Sequence, residues 1–116
     1  MSQVFAALVS NSSVENLQMK NMHVPSAAIH TFVEVLQKNE KLSLLTMRNT
    51  GLTDNGMNIM AQGLRDNNKL IYLDLRNNAY ENDGLQSLLD ALMGNESLLT
   101  LRLNSLQILG ESAQSF

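Results

Sequence analysis

A 28-residue repeat is the feature that most constrains how this sequence can fold. Leucines spaced L-x-x-L-x-L occur at Leu70, Leu73 and Leu75, and the same spacing returns one repeat later, beginning at Leu98. The positions 28 and 56 residues before Leu70, Leu73 and Leu75 are also apolar. The twelve equivalent apolar positions are Val14, Leu17, Met19, Leu42, Leu45, Met47, Leu70, Leu73, Leu75, Leu98, Leu101 and Leu103. Because 44% of the chain is apolar, chance agreement at twelve positions is about 1 in 20,000.

The second half of each unit has the periodicity of a helix. Apolar residues separated by three, four and seven positions lie on one helical face. These residues are Ile29, Phe32, Val33, Leu36, Met57, Met60, Ala61, Leu64, Leu85, Leu88, Leu89 and Leu92. Each predicted helix ends near an asparagine, at Asn39, Asn67 or Asn95. We expect left-handed backbone at these asparagines, because asparagine tolerates the geometry that ends a helix.

A strand followed by a helix cannot bury its apolar face alone, but stacked copies can share a continuous core. The strands would then be neighbours in one parallel sheet, with the helices on its other side. Helices are wider than the roughly 4.8 Å spacing of strands, so the stack should curve towards the strands. The predicted fold is α/β: a solenoid with a curved parallel sheet on the concave side and helices on the convex side.

The repeat also predicts the domain organisation, a single domain over residues 1–116. Its parts are a half-repeat helix at 1–13, full repeats at 14–41, 42–69 and 70–97, and a truncated repeat at 98–116. We expect Leu106, Ile108, Leu109 and Phe116 to cover the last strand as a lid. Neither end has a dedicated capping sequence. The ends are therefore either minimal caps or places where another subunit, or more solenoid, docks.

The third unit is similar to a known motif, L-x-x-L-x-L-x-x-N-x-L followed by a helix-opening glycine and L-x-x-x-L. Its matching residues are Leu70, Leu73, Leu75, Asn78, Gly84, Leu88 and Leu92. The second unit keeps Gly56 but has Thr50 in place of the asparagine. The chain thus resembles leucine-rich repeat proteins of the ribonuclease-inhibitor-like class along essentially its whole length. The resemblance implies the solenoid fold but not one function, because the family has many unrelated roles.

Charge and composition exclude several classes of protein. The formal net charge is -3 and no cysteine is present, which argues against nucleic-acid binding, anionic membranes, disulfides and thiolate metal sites. No apolar stretch approaches the roughly 20 residues that span a bilayer. The N-terminal sequence has no basic segment before its short apolar run, so it does not resemble a signal peptide. We therefore expect a cytoplasmic location.

Residues between the buried leucines of each strand should point to the concave face, since side chains alternate along a strand. They form an apolar patch beside a row of cations. The candidate protein-binding residues are Lys20, Leu44, Arg48, Tyr72, Asp74, Arg76 and Arg102. Stacked cations repel one another, so Asp74 and Glu15 neutralise them locally or an acidic partner does so from outside. An ordinary solvated sheet face is the alternative interpretation.

A catalytic role has little support in the sequence. The two histidines, His23 and His30, have no carboxylates at metal or triad spacing. The carboxylates are scattered, mostly at predicted helix starts such as Asp54, Glu81 and Asp83, where they favour capping and the helix dipole. No glycine-rich phosphate loop is present. We expect no enzyme activity, no cofactor and no metal.

The predicted function is a non-catalytic protein-interaction module or scaffold, binding a protein through the concave face, an open end, or both. Self-association through the ends and a partner with an acidic surface both fit this interpretation, whereas nucleic acid and membrane do not. The alternative function is a regulator of an enzyme or of the cytoskeleton. Similar repeats occur in RanGAP-type GTPase activators, tropomodulin-type actin cappers and ribonuclease inhibitors.

Overall fold

Helices and strands alternate through residues 1–104, the part of the chain that the computed structural model describes. This range is a mixed α/β fold with one parallel four-stranded sheet, which confirms the predicted class at that level. The predicted lid residues Leu106, Ile108, Leu109 and Phe116 lie outside the described residues. The elements are α1 Ser2–Leu8, β1 Asn16–Lys20, α2 Ser26–Lys38, β2 Leu44–Arg48, α3 Asp54–Leu64, β3 Tyr72–Asp74, α4 Asn82–Leu92 and β4 Thr100–Arg102.

The strands pair in the register that the repeat predicts. Within the described range the sheet has the order β1-β2-β3-β4, and the two members of every pair are one repeat apart in sequence. Leu17 thus pairs with Leu45, Leu45 with Leu73, and Leu73 with Leu101. A slip of one residue would turn these leucines to the opposite face of the sheet. Burial of the leucines therefore fixes the register.

One continuous core lies between the sheet and the helices. Leu45, Leu73 and Leu75 are 0% exposed, and consecutive helices pack against one another along the stack. The rings of Phe5 and Phe32 meet edge to face at 4.8 Å and join α1 to α2. Full burial of a leucine side chain contributes about 1.5–3 kcal/mol. Among residues 1–104, no helix is both long and apolar enough to cross a membrane.

The start of α4 is capped by a residue of the preceding unit. Asp54 Oδ1 accepts hydrogen bonds from the backbone N–H of Glu81, at 2.7 Å, and of Gly84, at 2.8 Å. A side chain at Gly84 would collide with this carboxylate, since an added Cβ would lie 2.6 Å from Asp54 Oδ1. Asp54 was expected to assist the start of its own helix, where Thr53 supplies the side-chain cap. Asp54 lies in the first turn of its own helix, as expected, and also links two neighbouring units.

The asparagines that follow the helices do not have the expected left-handed backbone, and that expectation was wrong. Asn39 has φ -71° and ψ 135°, whereas positive φ values occur among the non-glycine residues 1–104 at Asn21, Asn49 and Asn77. Asn39 Oδ1 accepts from the backbone N–H groups two and three residues later, and its Nδ2 donates to Leu8 O at 2.6 Å. Asn67 repeats the arrangement. These side chains link each unit to the one before it by hydrogen bonds.

Candidate functional site

Six of the seven candidate binding residues line one groove on the face of the sheet that is opposite the core. The groove has a volume of about 270 Å³. It runs across β1, β2 and β3, because residues at alternate strand positions project to this side. Its lining residues, together named the groove face, are Asn16, Gln18, Lys20, Leu44, Thr46, Arg48, Tyr72, Asp74 and Arg76. The seventh candidate, Arg102, pairs with Asp74 in the sheet register but does not line the groove.

A hydrogen-bonded cluster of Tyr72, Asp74 and Arg76 forms one side of the groove. Arg76 Nε lies 3.0 Å from Asp74 Oδ1 and its terminal nitrogen 2.8 Å from Oδ2, a two-pronged ion pair. The backbone N–H of Arg76 donates to the same carboxylate at 3.1 Å, and the Tyr72 hydroxyl donates at 3.3 Å. Asp74 is 1% exposed. The carboxylate is thus enclosed by donors that fix both neighbouring side chains.

The cluster controls the ionisation of Asp74. Burial alone would raise the pKa of this carboxyl group, because it disfavours the charged form. The hydrogen bonds and charge of Arg76, together with the Tyr72 hydroxyl, outweigh burial and bring the pKa below its ordinary value of 3.8. The same ion pair raises the pKa of Arg76. Asp74 therefore carries its negative charge at neutral pH and is ion-paired with Arg76.

The other two cations of the groove face have no such counter-charge. Lys20 and Arg48 are partners in the sheet register, and over residues 1–104 neither side chain has an ion pair. Glu15, a predicted local counter-charge, forms none with them in this range either; its backbone carbonyl accepts from Ser43 and Leu44. Local neutralisation therefore holds for Arg76 through Asp74 but not for Lys20 and Arg48.

The apolar side of the groove face is formed by Leu44 and Tyr72, which are register partners and half-buried. Ile71 and Leu99, which precede the third and fourth strands, are 41% and 81% exposed. The candidate set left out Asn16, Gln18 and Thr46, which also line the groove. The alternation along each strand already marked these three positions. Their uncharged polar side chains gave no reason to select them as binding residues.

Tyr80 is a further titratable group, and it lies in the hydrophobic core. Tyr80 is 2% exposed, and its hydroxyl accepts from the backbone N–H of Asn104 at 3.0 Å. Burial raises its pKa, and the nearby charge of Asp74 adds to the rise, against the hydrogen bond from Asn104. No group of three or more histidine, aspartate or glutamate side chains in residues 1–104 could hold a metal ion.

No family model matches the sequence, and no curated protein matches it. Solved structures do share its fold. The chain is similar to the leiomodin-1 actin-binding site 2 structure, with a TM-score of 0.77, 21% identity, and coverage of 89% of this chain but 59% of that one. It is also similar to a tropomodulin C-terminal domain of Caenorhabditis elegans, with a TM-score of 0.79, 14% identity, and coverage of 98% and 71%.

These similarities overturn one expectation from the sequence. The neighbours are tropomodulin and leiomodin domains, so the assignment to the ribonuclease-inhibitor-like class was wrong. The leucine spacing specifies how a strand and a helix pack, and that packing constraint does not identify a family. The structural comparisons establish the fold that this chain shares with the two domains.

Proposed function

We propose that this chain is a non-catalytic, cytoskeletal protein-binding module whose partner is actin. The observation that carries the proposal is the similarity of 89% of the chain to the leiomodin-1 actin-binding site 2. This similarity favours the cytoskeletal alternative over a general scaffold and over a GTPase-activator-like or nuclease-inhibitor-like role. An intracellular, cytoskeleton-associated location follows from the proposal.

The ion pairing of the groove face supports a binding role rather than catalysis. Asp74 is enclosed by Arg76 and Tyr72, so it is a poor general base. Tyr80 is buried against the backbone of Asn104. Displaced pKa values can mark active sites, but ion pairs inside a fold displace them equally well. We propose that Asp74 fixes the positions of Tyr72 and Arg76 on a binding surface.

We also propose that the stack is a curved solenoid with the groove face on its inner side. The constant one-repeat register and the packing of consecutive helices support this shape, because strands stack about 4.8 Å apart and helices need more room. A crystal structure in which the helix axes do not fan apart relative to the strands would contradict it.

Co-sedimentation with actin filaments, and retardation of actin monomers on a sizing column, test the proposed partner. We expect the purified chain to pellet with filaments or to co-elute with monomers at micromolar concentration. The control is Leu45→Asp, which places a charge at a 0% exposed position and should unfold the chain. Equal sedimentation of this variant would show non-specific binding. Absence of both filament and monomer binding by the wild-type chain would overturn the proposal.

A further inference from the structure

The charges of the chain are separated between the sheet and the rest of the molecule. Segments 16–20, 44–48, 72–76 and 100–104 contain four cations and one carboxylate, a net charge of +3. The remaining sequence contains four cations and ten carboxylates, a net charge of -6. The strands therefore form a positive region in a negative chain. An anionic partner is attracted to this face and repelled elsewhere.

Within the groove face, two cations remain for a ligand. Asp74 holds Arg76 in a bidentate ion pair, whereas Lys20, Arg48 and Arg102 have no ion pair in the described range. Arg102 does not line the groove, which leaves Lys20 and Arg48. These two residues are on adjacent, in-register strands, with backbones about 4.8 Å apart. Their charges repel one another. A carboxylate placed between them would relieve the repulsion and gain charge-assisted hydrogen bonds.

The other end of the groove face offers an apolar contact. Leu44 and Tyr72 are half-buried register partners, and the hydrogen bond from the Tyr72 hydroxyl to Asp74 restrains the ring. A restrained tyrosine is a good interface anchor, because little side-chain entropy is lost when a partner packs against it. Leu44 and Arg48 are four residues apart on β2, a distance of about 13 Å along the strand.

We propose that the groove face binds an extended acidic segment of a protein partner. An apolar side chain of the segment packs on Leu44 and Tyr72, and a carboxylate about four residues away lies between Lys20 and Arg48. An extended peptide spans about 13 Å in four residues, which matches the separation of the two contacts. The inference rests on the proposed function in one respect, that the natural partner is a protein.

Nuclear magnetic resonance with a defined probe tests this directly. The probe is the acetylated hexapeptide Phe-Ser-Gly-Ser-Glu-Glu, and its control has glutamine in place of both glutamates. We expect the acidic peptide to shift the backbone amides of Lys20, Arg48 and Tyr72, with binding that weakens as salt is added. Equal binding of the glutamine peptide, or the absence of shifts at the groove face, would overturn the proposal. Tighter binding of a single-stranded oligonucleotide at the same amides would also overturn it.

A charge-reversal pair with a matched control completes the test. Lys20→Glu with Arg48→Glu should weaken binding of the acidic peptide by more than about tenfold. Lys41→Glu with Lys69→Glu makes the same change in net charge at two exposed positions that are also one repeat apart, and should leave binding within about twofold. If the first pair does not fold, Lys20→Gln with Arg48→Gln replaces it. Equal losses in both pairs would contradict a specific groove site.

The same variants separate this inference from the proposed function. Peptide binding at the groove without any actin binding would reject actin as the partner and keep the acidic-segment site. Actin binding that survives charge reversal, in a chain whose groove does not bind the peptide, would keep the function and reject the site. Loss of actin binding in the Lys20 and Arg48 variant, but not in the control, would support both.

Discussion

The second and third sequence units, residues 42–69 and 70–97, have the same backbone arrangement but differ in how their arginines on the groove face are paired. Arg48 and Arg76 occupy equivalent positions in successive repeats. Arg76 is held by Asp74, while the equivalent of Asp74 in the second unit is the neutral Thr46. The carboxylate and the arginine on this face of the third unit therefore pair with each other, whereas the second unit leaves a cation accessible. A single residue two positions upstream decides between the two outcomes.

A second difference between the units concerns the residue after each strand. Asn78 of the third unit occupies the position of Thr50 in the second. Asn78 Oδ1 accepts from the backbone N–H groups of Thr50, at 2.9 Å, and Leu52, at 3.1 Å. Its Nδ2 donates to Met47 O at 2.7 Å. At this turn the third unit thus satisfies backbone groups of the second.

The largest expected effect is from Asn78→Ala, because it leaves buried backbone donors and acceptors of both units without a partner. We expect the free energy of unfolding to fall by about 2–4 kcal/mol, measured by urea denaturation. Asn55→Ala is the control, since Asn55 is exposed and donates one side-chain bond, to Ser26. Thr50→Ala should cost about 1 kcal/mol. A larger loss at Thr50 than at Asn78 would contradict the role assigned to the Asn78 side chain.

Asp74→Asn should have the next largest effect. It keeps the shape of the side chain but removes the charge that holds Arg76. We expect a loss of about 1–2 kcal/mol, reduced from the range for buried pairs because the Arg76 side chain is 31% exposed. Thr46→Val tests the equivalent position and should change stability by less than about 1 kcal/mol. Matching losses in the two variants would remove the distinction between the units.

The ion pair should also make stability depend on acid pH. The folded-state pKa of Asp74 is depressed by Arg76, so the stabilisation is present above the unfolded-state pKa of about 3.9. It is lost as pH falls through the lower folded-state pKa, because the unfolded chain then binds more protons. Urea denaturation across pH 2 to 6 should show a smaller acid-dependent loss for Asp74→Asn than for the wild-type chain. Parallel curves would show that Asp74 does not contribute.

The smallest change is to give the second unit the carboxylate that it lacks. Thr46→Asp should pair with Arg48 as Asp74 pairs with Arg76, and change the free energy of unfolding by less than about 1 kcal/mol. It should also weaken binding of the acidic hexapeptide, since one of the two accessible cations is then occupied. Thr46→Asn is the control of similar size without charge. Equal peptide binding by the two variants would mean that Arg48 does not contact the ligand.

The sequence was sufficient for the register and for most of the groove face. Leu45 and Leu73 fix which strand positions are buried, and the alternation then places Leu44, Arg48 and Tyr72 on the opposite side. These inferences succeed because strand geometry is periodic and a shared core forces every unit into the same register. Local neutralisation by Asp74 and Glu15 was one of two possibilities that the sequence left open, the other being an acidic partner. Of the local pairs, residues 1–104 contain that of Asp74 with Arg76.

The errors came from side chains whose partners are distant in sequence. Asn39 was assigned a local, helix-ending role, but its amide contacts Leu8, 31 residues earlier. Asp54 lies in the first turn of its own helix as expected, but its second role, capping the helix that begins at Asn82, was missed. Local propensity contains no information about contacts to the adjacent unit. The family assignment failed for a related reason, because leucine spacing encodes packing rather than ancestry.

The carboxylate of Asp54 has a consequence for cooperativity. The helix that begins at Asn82 obtains its N-terminal hydrogen bonds from a side chain of the neighbouring unit. A fragment starting at residue 70 would lose this cap together with its packing partner. Coupling between neighbouring units is therefore partly polar. Unfolding of the second unit should destabilise the start of the helix in the third.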